Sequence, residues 1–255
     1  MSKAWIAIVP LAVLLSGCAG HLTVPTPVPT VTDAVPTPSA TPTPNPTIPN
    51  GAVASGTLAS SDIATTGTIH VWNTNGEFMF FAKNVASKYT GQTMMVLSDT
   101  VLKLGDCAEN DNYEIATPIE HGNASVLDAE EDPSYFASVS IVQYPVDGKR
   151  LSGGCQQKVL ATTALHWKVP DTRPNLTVID RGPRSGARGE VQGDDYLTAA
   201  SDNWYAIAAR FSITFEDLDW LNPRRIGAYL ADVAYADELL NLSKMSRGDS
   251  RSRRP

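Results

Sequence analysis

The thirty residues from His21 to Asn50, HLTVPTPVPTVTDAVPTPSATPTPNPTIPN, hold nine of the chain's 18 prolines, set mostly between Thr, Val and Ala. Proline withholds an amide donor and fixes φ, so neither a helix nor a sheet can propagate here. What remains is an extended, polyproline-like spacer that at about 3.1 Å per residue reaches up to roughly 90 Å. Any packed core must therefore lie after it. Ahead of it, Lys3 precedes an apolar run from Ala4 to Leu15 that only Pro10 interrupts. That run is short for a bilayer span and suits the central region of a signal peptide.

The run ends at Leu15-Ser16-Gly17-Cys18, which resembles a bacterial lipobox. The resemblance implies cleavage before Cys18 and acylation of its sulfur, with membrane lipid as the partner of the mature N-terminus. Two acyl chains give lasting attachment where one is marginal. The protein is then expected outside the cytoplasm, anchored to the cell membrane and associated with the wall. In that compartment Cys107 and Cys155 are an even pair, expected to form a structural disulfide contributing about 4 kcal/mol in the loop-entropy picture. No Cys-x-x-Cys is present. The net charge of −7 argues against nucleic acid as a partner. The last residues reverse that sign: Lys244, Arg247, Arg251, Arg253 and Arg254 read as a solvated basic end, or as one that touches anionic wall polymer or lipid.

From Gly51 the pattern becomes that of short strands. In GTIHVW, Ile69 and Val71 alternate with Thr68, His70 and Trp72; a turn ending in Asn-Gly follows, then EFMFFA. TMMVL and VLKL flank Ser98-Asp99-Thr100 as a second hairpin, and YFASVSIVQY and QKVLATTALHW read as longer strands. FAKNVASKY alone could make two helical turns. An antiparallel sandwich or barrel is expected. His70, His121 and His166 lack the spacing of a metal site, and the acidic run Asp128 to Pro133 reads as a solvated turn rather than a calcium loop, so neither a metal nor a cofactor is expected.

Near the C-terminus, Trp204, Ile207, Ala208 and Phe211 fall on one helical face, with Asp202 or Asn203 as the N-cap. Thr214 and Asp217 have capping-box spacing, Phe215, Leu218 and Leu221 form a second apolar stripe, and Asn222-Pro223 stops it. DYLTA before and ELLNLS after read as strands. A two-stranded sheet and two short helices can cover one another's apolar sides.

These residues resemble a LysM domain, the small module that binds wall glycan. The family pattern Tyr-x-Val-x-x-Gly-Asp-Thr-Leu-x-x-Ile-Ala-x-x-Phe is met by Tyr196, Asp202, Trp204, Ile207, Ala208 and Phe211 in register. Its second half, Asp-Leu-x-x-Leu-Asn-Pro, is met by Asp217, Leu218, Leu221, Asn222 and Pro223, and its closing strand more loosely by Asp237 to Leu242. Ser201 and Asp237 stand where the family has turn glycines, Asn203 where it has Thr, and the stretch 224–236 is longer than usual. The resemblance implies a groove for N-acetylated glycan, with Ser201, Asp202, Asn203 and Trp204 as one wall and Asn222, Pro223 and part of 224–236 as the other.

The sequence thus predicts an α+β chain of several domains: signal peptide and lipobox over 1–18, Pro/Thr-rich linker over 19–50, an antiparallel β domain over 51–169, a linker over 170–193, a βααβ LysM-like domain over 194–244 and a basic tail over 245–255. The function expected is that of a non-catalytic lipoprotein tether or scaffold on peptidoglycan. Two other classes remain open on the residues alone: a cell-wall enzyme or accessory whose β domain is targeted by the glycan module, and a redox or electron-transfer β domain.

Overall fold

The computed structural model of the protein describes residues 44–60, 64–89, 93–108, 115–128, 132–145, 151, 154–223 and 234–248. The expected signal peptide, Cys18 and most of the Pro/Thr-rich spacer lie outside the described residues. Among the described residues the fold is mainly β, with two α-helices.

Nine strands come first: β1 (Gly51–Thr57), β2 (Thr65–Thr74), β3 (Glu77–Ser87), β4 (Thr93–Ser98), β5 (Ile115–Pro118), β6 (Ala124–Asp128), β7 (Ser138–Gln143), β8 (Lys158–Ala164) and β9 (His166–Trp167). They form two antiparallel sheets, ordered β6-β3-β2-β1-β9 and β5-β4-β7-β8. The alternation seen in β2 determines its faces: Ile69 and Val71 are buried, while His70 is exposed and Trp72 half-exposed. The β2–β3 turn at Asn75-Gly76 takes positive φ at both residues, 55° and 93°, as a tight hairpin requires. Ile69, Val71, Phe78 and Phe80 from the first sheet share one apolar cluster with Met95, Leu97, Val139, Ile141 and Ala161 from the second. The two sheets therefore face each other. Burying each of the phenylalanines contributes about 2 kcal/mol.

Three expectations change here. The stretch that could have made two helical turns is β3 from Phe81 to Ser87, where Ala82 pairs with Ile69 of β2 and Ala82 and Val85 are buried in the core. Val101–Leu104 is not a strand: Leu102 and Leu104 instead pack on the outer face of β4, β7 and β8, against Val96, Val142 and Val159. The last long strand breaks at Leu165, where the chain leaves β8 in one sheet and joins β1 of the other as β9. Cys107 and Cys155 form the expected disulfide, which ties the segment covering that outer face to the approach of β8.

The C-terminal part begins with β10 (Glu190–Gln192) and β11 (Asp195–Leu197), continues through α1 (Trp204–Arg210) and α2 (Phe215–Leu221), and closes with β12 (Leu239–Asn241). Its sheet is ordered β10-β11-β12, with Tyr196 directly opposite Leu240. Tyr196, Trp204, Ile207, Phe211, Leu218 and Leu240 make its core. Asn203 caps α1 by accepting from Ala206 N, and Thr214 and Asp217 complete the capping box of α2.

The segment 170–193 packs on both sides rather than hanging free. Arg210 is 3% exposed because its guanidinium donates to Asp180 Oδ1 and Oδ2 at 2.8 and 3.1 Å and to the Gly189 carbonyl at 2.8 Å. The Arg210 hydrogen bond in turn holds the Asp180 carboxyl below the usual carboxylate range. Thr172 is buried against Asp132, and both belong to a polar seam that joins the two parts. The Asp132 carboxylate accepts from Thr172 Oγ1 at 2.8 Å and Trp220 Nε1 at 3.1 Å, and lies 3.7 Å from the Arg247 guanidinium. Arg247 also donates to the Trp220 carbonyl at 2.7 Å and stacks over the Trp220 ring, 4.3 Å from its centroid. Lys244 pairs with Asp171 at 2.5 Å. Asp132, read from sequence as part of a solvated turn, is therefore 3% exposed, and Lys244 and Arg247 of the basic end are seam residues. Residues from Pro44 onward form one compact unit.

Candidate functional site

The loop after β11 and the first residue of α1 carry four of the six residues that the sequence nominates as glycan contacts. Two of the four are internal. Asp202 is 4% exposed, and its carboxylate accepts from the amides of Arg188 (2.7 Å), Ala199 (2.9 Å) and Gly189 (3.1 Å) and from the Tyr196 hydroxyl (2.5 Å). Burial alone would raise its pKa, but the Tyr196 hydroxyl and these amides outweigh burial and hold it below the ordinary 3.8. The same burial, with Asp202 alongside, drives the Tyr196 phenol well above its usual value. Trp204 is 1% exposed and packs beside Phe215 in the core.

On the expected opposite wall, Asn222 is also consumed by the fold. Its Nδ2 donates to the carbonyls of Leu218 (2.8 Å) and Asn241 (3.0 Å), and its Oδ1 accepts from Asn241 N at 2.7 Å. It clasps the end of α2 to β12. Pro223 is half-buried, and residues 224–233 lie outside the described residues. The loops themselves do meet: Thr198 N donates to the Glu238 carbonyl at 2.9 Å, and Asp237 N donates back to the Thr198 carbonyl at 3.0 Å.

What is left accessible is a shallow cavity of about 390 Å³, into which Ser201 and Asn203 are brought together with Ser185, Gly186 and Arg188. Asn222 and Pro223 do not line it. The facing wall comes instead from the turn Arg184–Ala187, closed by reciprocal backbone hydrogen bonds of 3.1 and 3.0 Å. Gly186, at φ 77°, lies so close to α1 that a Cβ there would fall 2.4 Å from Asn203 Nδ2. Sequence reading missed this wall because the Gly, Pro and Arg content of 170–193 reads as a connector. The Ser-Gly pair inside it was the available turn signal.

A larger cavity, about 600 Å³, opens at the seam between the end of the spacer, the β2–β3 hairpin and Trp220. Its spacer side is docked: Asn73 Nδ2 donates to the carbonyls of Ile48 (2.9 Å) and Pro49 (3.1 Å), and Ile48 reaches the sandwich core. Comparison of the chain with family models, with curated proteins and with solved structures gives no match.

Proposed function

We propose that the protein is a membrane-anchored lipoprotein that binds peptidoglycan through a LysM-like C-terminal domain, as a tether or scaffold without a catalytic role. One observation carries this reading: the strand–helix–helix–strand return of β11, α1, α2 and β12, with Tyr196 opposite Leu240 and a cavity beside the loop that follows β11. Backbone conformation gives it further support. Ser201 and Asp237, at the two places where the family has glycine, take φ of 74° and 63°. Those are values that favour glycine.

The contacts available to an N-acetylated sugar are narrower than the family pattern implies. They are Ser201 and Asn203 with the 185–188 turn; Asp202, Trp204 and Asn222 shape the scaffold behind them. A shallow site of this kind binds weakly, and anchoring at Cys18 would raise its effective concentration at the wall. Full-length chain mixed with insoluble peptidoglycan should pellet with it, well above a control protein of similar charge; no excess pelleting overturns the reading. Cys18→Ser should shift the chain from the membrane fraction to the soluble one, and an unchanged membrane fraction would overturn the lipid anchor alone.

A further inference from the structure

The chemistry of the 390 Å³ cavity leads beyond wall binding in general, to the kind of sugar it selects, and this step rests on the wall-glycan reading. Of the side chains that remain available in it, the Arg188 guanidinium and the Asn203 Nδ2 group only donate, while the serine hydroxyls donate or accept. Asn203 commits its Oδ1 to Ala206 N at 2.9 Å, and its Nδ2 lies against Gly186 in the cavity wall. Ser185 and Ser201 add exposed hydroxyls. Arg188 is exposed, and its guanidinium has no ion-pair partner among the described residues. The lining carboxylate, Asp202, offers nothing to a ligand: it is 4% exposed and already accepts four hydrogen bonds from within the protein.

A neutral N-acetyl sugar presents hydroxyls and an amide N–H that ask for acceptors as well as donors. A carboxylate asks for donors alone, and a guanidinium beside hydroxyl and amide donors is the arrangement that binds it best. We infer that this cavity takes the carboxylate of an acidic N-acetylated sugar, with Arg188 as counter-charge and Ser185, Ser201 and Asn203 as hydrogen-bond donors. The lactyl carboxylate of N-acetylmuramic acid has that chemistry wherever no stem peptide is amide-bonded to it, and the uncharged sugars of chitin do not. Arg184, exposed on the same turn, adds a positive charge beside the cavity that offsets the buried Asp202 carboxylate in its lining.

Titration calorimetry of the full-length chain tests this with three disaccharides: N-acetylglucosaminyl-N-acetylmuramic acid, its methyl ester, and chitobiose. The acid should bind about tenfold more tightly than the ester or chitobiose, the effect of one charge-assisted contact, and rising salt should erode the difference. Arg188→Gln, a change at an exposed side chain, should bring the acid down to the ester and weaken it far more than it weakens the neutral sugars. Ser185→Glu should weaken the acid selectively by placing a like charge beside it; thermal melts of both variants check that they fold. Equal binding of acid and ester, or a preference that survives Arg188→Gln, overturns acid selection and leaves the wall-glycan reading standing. Should none of the three sugars bind to folded protein, acid selection falls, and the absence of pelleting with whole peptidoglycan would take the wider reading with it.

Discussion

Asp202 is the most constrained residue of the C-terminal part, since one buried carboxylate gathers the Tyr196 hydroxyl and three amides from two chain segments. Asp202→Asn exchanges one acceptor oxygen for a donor facing other donors, and should destabilise the protein by about 2 kcal/mol in urea unfolding at neutral pH. The pH dependence follows from the direction of its shift. The folded-state pKa lies below the unfolded one, so the stability that Asp202 supplies is complete above the ordinary 3.8 and is lost as pH falls through the folded value. Asp132 is shifted the same way: burial raises its pKa, but Arg247 and the hydrogen bonds of Ser134 and Thr172 outweigh it. Acid unfolding should therefore steepen below pH 3.8. The Asn variant should lose part of that slope, which unfolding curves at successive pH values would read. Ser201 offers the opposite sign. It holds a left-handed φ of 74° without being glycine, so Ser201→Gly should stabilise by about 0.5–1 kcal/mol, the relief of strain less the added chain entropy.

Helices α1 and α2 have seven residues each, too few to persist alone, so their caps and their shared sheet must define them. Thr214→Ala removes the Oγ1 half of the α2 capping box, leaving the backbone amide of residue 214 on Asp217, and should cost about 1 kcal/mol, with little change in the unfolding of the β1–β9 part if hydrogen exchange follows the two separately. Both helices could be bounded in the sequence because capping is local chemistry: Thr214, Asp217 and the Asn222-Pro223 stop act within a few residues of themselves. The β2–β3 hairpin was legible for the same reason, through Asn75-Gly76 and strict alternation. Elements decided by distant partners were not. Leu102 and Leu104 look like alternate residues of a strand, yet the outer face of the second sheet claims them as a cover. Arg247 reads as part of a solvated basic end, yet it and Arg210 are each caught by carbonyls and a carboxylate far away in sequence. The site suffered in the same way, because its second wall, Arg184 to Arg188, carries the composition of a connector.

For the molecule as a whole, the seam around Asp132 determines whether the C-terminal part and the sandwich act as one body. Side chains of Arg247 and Asp132 are 7% and 4% exposed, so removing either leaves the other buried without its counter-charge. Arg247→Ala should cost about 3 kcal/mol and uncover the Trp220 ring, seen as a change in its fluorescence. It also takes away the charge that lowers the Asp132 pKa, so acid sensitivity should begin at a higher pH than in the unaltered chain. The docked end of the spacer adds a mechanical consequence. Its last residues feed straight into β1, and β9 runs antiparallel to β1, with Ala54 opposite Trp167 and Lys168 N on the Val53 carbonyl. If the chain is held by its N-terminal end and by its C-terminal part, as the proposed function has it, a pull enters both strands at the same end, so it peels their bonds one after another instead of shearing them together. Strands loaded like that yield at low force. The grip of Thr172, Trp220 and Arg247 on Asp132 intercepts the tension before it reaches them, and extension experiments should find rupture strength set by those few side chains.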